Sequence, residues 1–219
     1  RGVYNNPSEV FDQVLDIPEI VELKDSLDKY YNDLEHHNFL KEAKEKGLDV
    51  EHYDSKAHKK AAYLCLFSTN ALEAVRFYVS FACSFAMMEV LQKMEGNSKI
   101  IKLISRDEAL HLTLVQNILN RLVKEDSEWL EVAEGCREEA LKIFMDVVEQ
   151  EKAWAKYLFQ KGAMLGLNED ICCSYVDWIA DKRLSTLGFD YPLESPNTNP
   201  LPWMDHWLSS ASKQTALQE

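Results

Sequence analysis

From Ser55 to Glu95 apolar residues recur every three or four positions, and no glycine or proline interrupts the run. That spacing predicts one long helix closed by Gly96-Asn97. A similar pattern through Ile20, Leu23, Leu27, Tyr31 and Leu34 predicts a helix from Pro18 to about Lys46, with Gly47 as its stop. Ahead of it, "NNPSEVFDQVLD" reads as a cap and a short helix with Pro7 in its first turn. Residues 48–56 are polar and read as a loop. Ser98 is placed to cap a helix from about Lys99 to Lys124, and a further helix is expected from about Ser127 to Gly162. The last periodic segment runs from Asn168 to about Leu187 and stops at Gly188. The segment 190–205 holds four of the six prolines and reads as an irregular arm. There is no repeat, no low-complexity tract and no strand-like alternation. The expected fold is therefore all-α, a bundle of long, nearly antiparallel helices.

Within this pattern a few positions break the rule that stripes are apolar. Stepping along one face gives Ile104, Glu108, His111, Val115, Ile118 and Leu122. Glu108 and His111 lie about 60° apart on the helical wheel, one turn along, so both can reach one point between helices. The preceding helix carries the stripe Leu66, Asn70, Glu73, Phe77 and Phe81. A lone buried carboxylate is costly unless it is paired, protonated or bound to a metal. Two such acids and a histidine on neighbouring helices suggest a shared divalent cation, and oxygen and imidazole donors suit iron or manganese. Other readings stay open. Glu73 could pair with Arg76 three residues on, and Glu108 and His111 could hydrogen-bond each other or a buried tyrosine. Phe77, Phe81 and Phe85 could be ordinary core, Asp107 a surface acid, and Tyr63 and Tyr78 packed aromatics.

The 219 residues suffice for one domain with a real core. The net charge of −13 argues against a nucleic-acid surface. Five cysteines (Cys65, Cys83, Cys136, Cys172 and Cys173), an odd number in helical contexts, read as reduced thiols of a cytoplasmic protein. The most apolar run, Phe77 to Met88, is short for a membrane span, and Glu73 and Arg76 precede it.

Longer stretches add a resemblance. "YLCLFSTNALEAVRFYVSFACSFA" and "MEGNSKIIKLISRDEALHLT" closely resemble the small, radical-generating subunit of class I ribonucleotide reductase, the aerobic bacterial and phage type. The likeness extends over nearly the whole chain, through "NPSEVFD", "EQEKAWAKYLFQKGAMLGLN" and "NPLPWMDHW". It implies a ferritin-like helical homodimer that holds a carboxylate-bridged di-iron centre. In that family the centre reacts with O₂, a nearby tyrosine becomes a stable radical, and the radical passes to the large subunit. There ribonucleoside diphosphates are reduced. By resemblance, Glu73, Glu108 and His111 would ligate one iron, with Glu108 bridging. Phe77, Phe81 and Ile104 would line the dry radical pocket, and Asp107 would lie on the radical-transfer route behind the histidine.

The family takes its remaining ligands and its radical tyrosine from helices that correspond to no segment here. The expectation is accordingly that residues 1–219 form the C-terminal part of one ferritin-like di-iron domain, with 190–219 an arm leading to a tail. Tyr4 follows the expected radical motif and is not assigned to it. A separately encoded N-terminal half would complete the site. The alternative is a split-gene or remnant helical interaction module without metal chemistry of its own.

Overall fold

The computed structural model describes Ser8, residues 18–48 and residues 53–209. The short helix expected ahead of Pro18, with Tyr4, lies outside the described residues apart from Ser8, as does the end of the arm from 210 onward. The described residues form helices and connecting turns without a strand: α1 (Pro18–Glu45), α2 (Ser55–Val75), α3 (Tyr78–Leu91), α4 (Glu95–Glu125), α5 (Ser127–Gly135), α6 (Arg137–Phe159), α7 (Glu169–Ser185) and the short α8 (Met204–Leu208).

α2 is the hub and packs against α1, α4, α5, α6 and α7. Its apolar positions make it so: Phe67, Ala71, Ala74 and Val75 are almost wholly buried. Asp54 starts it, its side chain accepting the Lys56 N–H. α3 continues the core with Tyr78, Val79, Ala82, Phe85 and Ala86, and α6 and α7 close it with Phe144, Val148, Tyr175 and Val176.

Three boundaries differ from the periodic reading. The long helix from Ser55 is broken at Arg76–Phe77, where Phe77 adopts φ +80. Its C-terminal end also comes early. Gln92 is left-handed at φ 52 and its N–H returns to the Met87 and Met88 carbonyls, so the helix closes at Leu91. Gly96 and Asn97 belong instead to the first turn of α4, and Ser98 sits inside that helix, buried, with its hydroxyl donating to the Ser84 carbonyl at 3.3 Å. The third difference divides the helix expected from Ser127. Cys136, at φ −105 and ψ 3, separates α5 from α6.

α7 begins as expected, with Asn168 accepting the Ile171 N–H at 2.8 Å. The proline-rich arm is irregular up to α8 and is pinned to the bundle by its aromatics. The Trp207 ring stacks on Phe85 at 4.8 Å, and its indole N–H donates to Glu89 at 3.1 Å. All five cysteines are free thiols, three of them buried. The segment Ser55–Leu91 is long and apolar enough to cross a membrane by length and composition. Its break at Arg76–Phe77 and the burial of Phe67, Val75 and Phe85 within the bundle account for that apolarity as core packing.

Candidate metal centre

Glu73 lies in the last turn of α2, and Glu108 and His111 lie one turn apart on α4. Because α2 and α4 pack together, the three side chains meet, with one donor atom from each within 4.8 Å of the others. His111 Nδ1 is 3.1 Å from Glu108 Oε2 and 3.8 Å from Glu73 Oε1. The Glu73 and Glu108 side chains are 13% and 20% exposed, whereas the imidazole is 57% exposed, so the cluster opens towards solvent on the histidine side.

The electrostatics are those of a crowded anionic site. Burial, then a hydrogen bond and repulsion from Glu108, push the Glu73 carboxyl up to about 7, against a smaller opposing pull from His111. His111 is raised in turn, chiefly by its hydrogen bond with Glu108. The open alternative of a Glu108–His111 hydrogen bond is therefore realised. It leaves Glu73 unresolved, because Glu73 Oε2 is buried with no hydrogen-bond partner. Arg76, the other candidate partner, donates to Gln150 at 2.6 Å.

The core-facing line of α4 runs through Ser105, Leu112, Val115 and Leu119, all buried. The stripe of Ile104, Glu108 and His111 sits at the edge of that face rather than at its centre. Ile104 is 41% exposed and is followed round the helix by Ile100, Leu103, Leu110 and Leu114, all exposed. Asp107 is exposed, 3.5 Å from Arg106, and its charge adds to the field that raises His111. Phe77 is partly buried and Phe81 fully, with ring centroids 6.1 Å apart.

Two further buried polar residues were not singled out from the sequence. Glu151 is 1% exposed in the α6 stripe Phe144, Val147, Val148, Glu151 and Ala155, and burial pushes its carboxyl up to about 7. The signal that marks Glu73, an acid in an apolar stripe, marks Glu151 as well. Asn70, one turn before Glu73, is fully buried with neither amide atom hydrogen-bonded.

The donor set fits a divalent cation. Two carboxylates and an imidazole converge, one carboxylate oxygen is orphaned, and two acids compete for charge at one point. Hard oxygen and nitrogen donors of this kind suit iron and manganese. An all-α bundle with carboxylate and imidazole side chains converging between two helices defines a class, the helical carboxylate-site proteins. The family model described as "Ribonucleotide reductase, small chain" matches residues 3–200, and the chain belongs to that family.

Similar proteins agree. The chain is 47% identical to the ribonucleoside-diphosphate reductase subunit beta of Buchnera aphidicola from Schizaphis graminum, over all of this chain and 60% of that protein. It is 46% identical to the Haemophilus influenzae subunit beta, again over 60% of that protein. The Enterobacteria phage T4 subunit beta is 39% identical over 61% of its length. The chain thus spans about three fifths of the relatives it matches. Among solved structures, the ribonucleotide reductase R2 subunit from Clostridium botulinum superposes with a TM-score of 0.70 at 26% identity, over 93% of this chain and 58% of that one. A putative class I ribonucleotide reductase from Bacillus halodurans shares the fold at a TM-score of 0.71 and 24% identity, over 91% of this chain and 63% of that one. The fold is the ferritin-like helical bundle of these subunits.

Proposed function

We propose that this chain is the C-terminal part of a ribonucleotide reductase small subunit, and that Glu73, Glu108 and His111 hold one side of its di-iron centre. The convergence of these side chains around the unpartnered Glu73 oxygen carries the reading. In this reading Glu73 and Glu108 would hold the metal through carboxylate oxygens and His111 through an imidazole nitrogen. A manganese ion would satisfy the same donors. When bound, the centre supplies oxygen-dependent oxidation of a tyrosine to a radical, which the large subunit uses to reduce ribonucleoside diphosphates.

The chain's own residues then have defined tasks. Glu73 would give up the proton that burial favours on it, and Glu73 and Glu108 would present charge to the cation. Phe77 and Phe81 exclude water from the radical's surroundings, and Ile104, exposed here, would join them once further helices cover it. Asp107 adds negative field at His111 and favours its orientation as a ligand. The exposed stripe of Ile100, Leu103, Leu110 and Leu114 beside an open His111 supports a site completed by further helices bearing the opposite ligands and the radical tyrosine. Those helices would come from a separately encoded half or from a longer polypeptide, within a homodimer that docks on the large subunit. In this reading residues 1–219 are the C-terminal part of one domain, 190–219 its arm, and the protein is cytoplasmic and engages neither membrane nor nucleic acid.

The test is co-expression of this chain with the N-terminal segment of a related subunit beta, loading with Fe(II) without oxygen, then exposure to O₂. The proposal expects a tyrosyl radical by electron paramagnetic resonance, and reductase activity once large subunit is added. A stable complex with neither iron nor radical would favour instead the interaction module, which the exposed apolar stripe would also serve.

A further inference from the structure

The break between α2 and α3 sits between a candidate ligand, Glu73, and the two phenylalanines of the candidate pocket. It has no glycine, proline or side-chain cap of its own. Phe77 stands at the N-cap position of α3 with φ 80, a conformation that side-chain-bearing residues rarely adopt, and makes no capping hydrogen bond. A helix interruption orphans N–H groups on one side and carbonyls on the other. Buried, these must find partners.

They find them on two neighbouring helices. Glu151 of α6 accepts the Val79 N–H at 3.0 Å, and the Phe77 N–H is directed at the same carboxyl. Val79 is the second helical residue of α3, so Glu151 occupies the place a capping aspartate would take, supplied from another helix. On the other side Arg183 of α7 donates to the Ala74 carbonyl, next to Glu73, while its guanidinium lies 4.1 Å over the Tyr78 ring. In an unbroken helix that carbonyl would accept from Tyr78. A third contact fixes the first turn of α3, where the Trp154 indole donates to the Ser80 hydroxyl at 2.9 Å.

We propose that Glu151 and Arg183 are positioning residues: a two-sided clamp that holds the break open and so fixes Glu73 against Glu108 and the Phe77 and Phe81 rings beside them. Glu151 stabilises the start of α3, and Arg183 stabilises the end of α2. Without them the backbone of the last turn carrying Glu73 loses its anchor, and Phe77 has no partner to offset its left-handed conformation.

The experiment is residue-resolved amide hydrogen exchange on the full chain, comparing wild type with Glu151→Leu, Glu151→Gln, Arg183→Met and Arg183→Lys. Glu151→Leu should lower protection at Phe77 and Val79 by roughly tenfold to a hundredfold beyond any change in the middle of α6 and α7. Glu151→Gln keeps a single carbonyl acceptor, so it should lose less and remain folded if the leucine variant does not. Arg183→Met should lower protection at the end of α2, where the Arg76 N–H returns to the Leu72 carbonyl, and Arg183→Lys should restore part of that protection. Protection that falls uniformly over the molecule, or not at all at Phe77 and Val79, would overturn the clamp.

A second readout is Mn(II) affinity, which should drop about tenfold or more in a folded Glu151→Gln protein, as for other residues that orient ligands. Unchanged affinity would overturn the positioning role. This readout alone rests on the metal reading of Glu73, Glu108 and His111. If wild type binds no Mn(II), that reading fails while the exchange data still decide the clamp.

Discussion

Replacing Glu73 with methionine should make the metal-free chain more stable, not less. The carboxyl is 13% exposed, one oxygen is buried without a partner, and burial with Glu108 pushes its pKa from 4.5 to about 7. The folded state therefore binds a proton more tightly than the unfolded state does. The resulting penalty is absent below about pH 4.5, grows as pH rises, and is fully expressed above about 7. A shift of this size corresponds to about 3 kcal/mol. Water reaching the cluster from the His111 side screens the Glu108 contribution, so about 2 kcal/mol is expected. Methionine has a similar length and no charge to desolvate. Urea unfolding of wild type and Glu73→Met at pH 8 and pH 5 would measure the effect. The variant should gain about 2 kcal/mol at pH 8 and less at pH 5. Adding Mn(II) should reverse the order, because only the wild type gains binding free energy. A variant destabilised at pH 8, or one with the same gain at both pH values, would mean that Glu73 is satisfied within the chain and needs no cation.

Other outcomes follow from the same structure. Glu151, raised by burial from 4.5 to about 7, should make stability decline as pH rises through that window, by on the order of 3 kcal/mol. Urea midpoints of Glu151→Gln should be flatter with pH, and a wild-type slope of opposite sign would refute this. Trp207→Ala removes the Phe85 stacking and the hydrogen bond to Glu89. It should cost about 2 kcal/mol and speed proteolytic cleavage within 190–209. Unchanged cleavage would show that Trp207 does not hold the arm.

The helices were legible where one stripe of side chains decides their burial. α7 shows this well, with Asn168 capping it and Gly188 beyond its end at φ +75. The break at Phe77 was not legible, because its causes lie far away in the chain. Glu151 and Arg183 take the orphaned backbone groups, and nothing between Ser55 and Glu95 announces an interruption. Gly96-Asn97 misled for a related reason. Gln92 caps α3 with its own backbone N–H, so the glycine was free to begin the next helix. Spacing alone brought Glu108 and His111 to one point and set Glu73 on the neighbouring helix, and the structure does bring them together. Spacing did not show that this stripe lies at the edge of the α4 core face, because α4 is apolar on its exposed side as well.

The most direct measurement is metal content per chain. Iron would be counted after anaerobic Fe(II) loading and O₂ exposure, for the chain paired with the N-terminal segment of a relative, in wild type and in His111→Ala. The account predicts stoichiometric iron in the wild-type pair and a marked loss in His111→Ala, with the complex still assembled. An assembled wild-type pair without iron, or one whose iron ignores the His111 substitution, would contradict it.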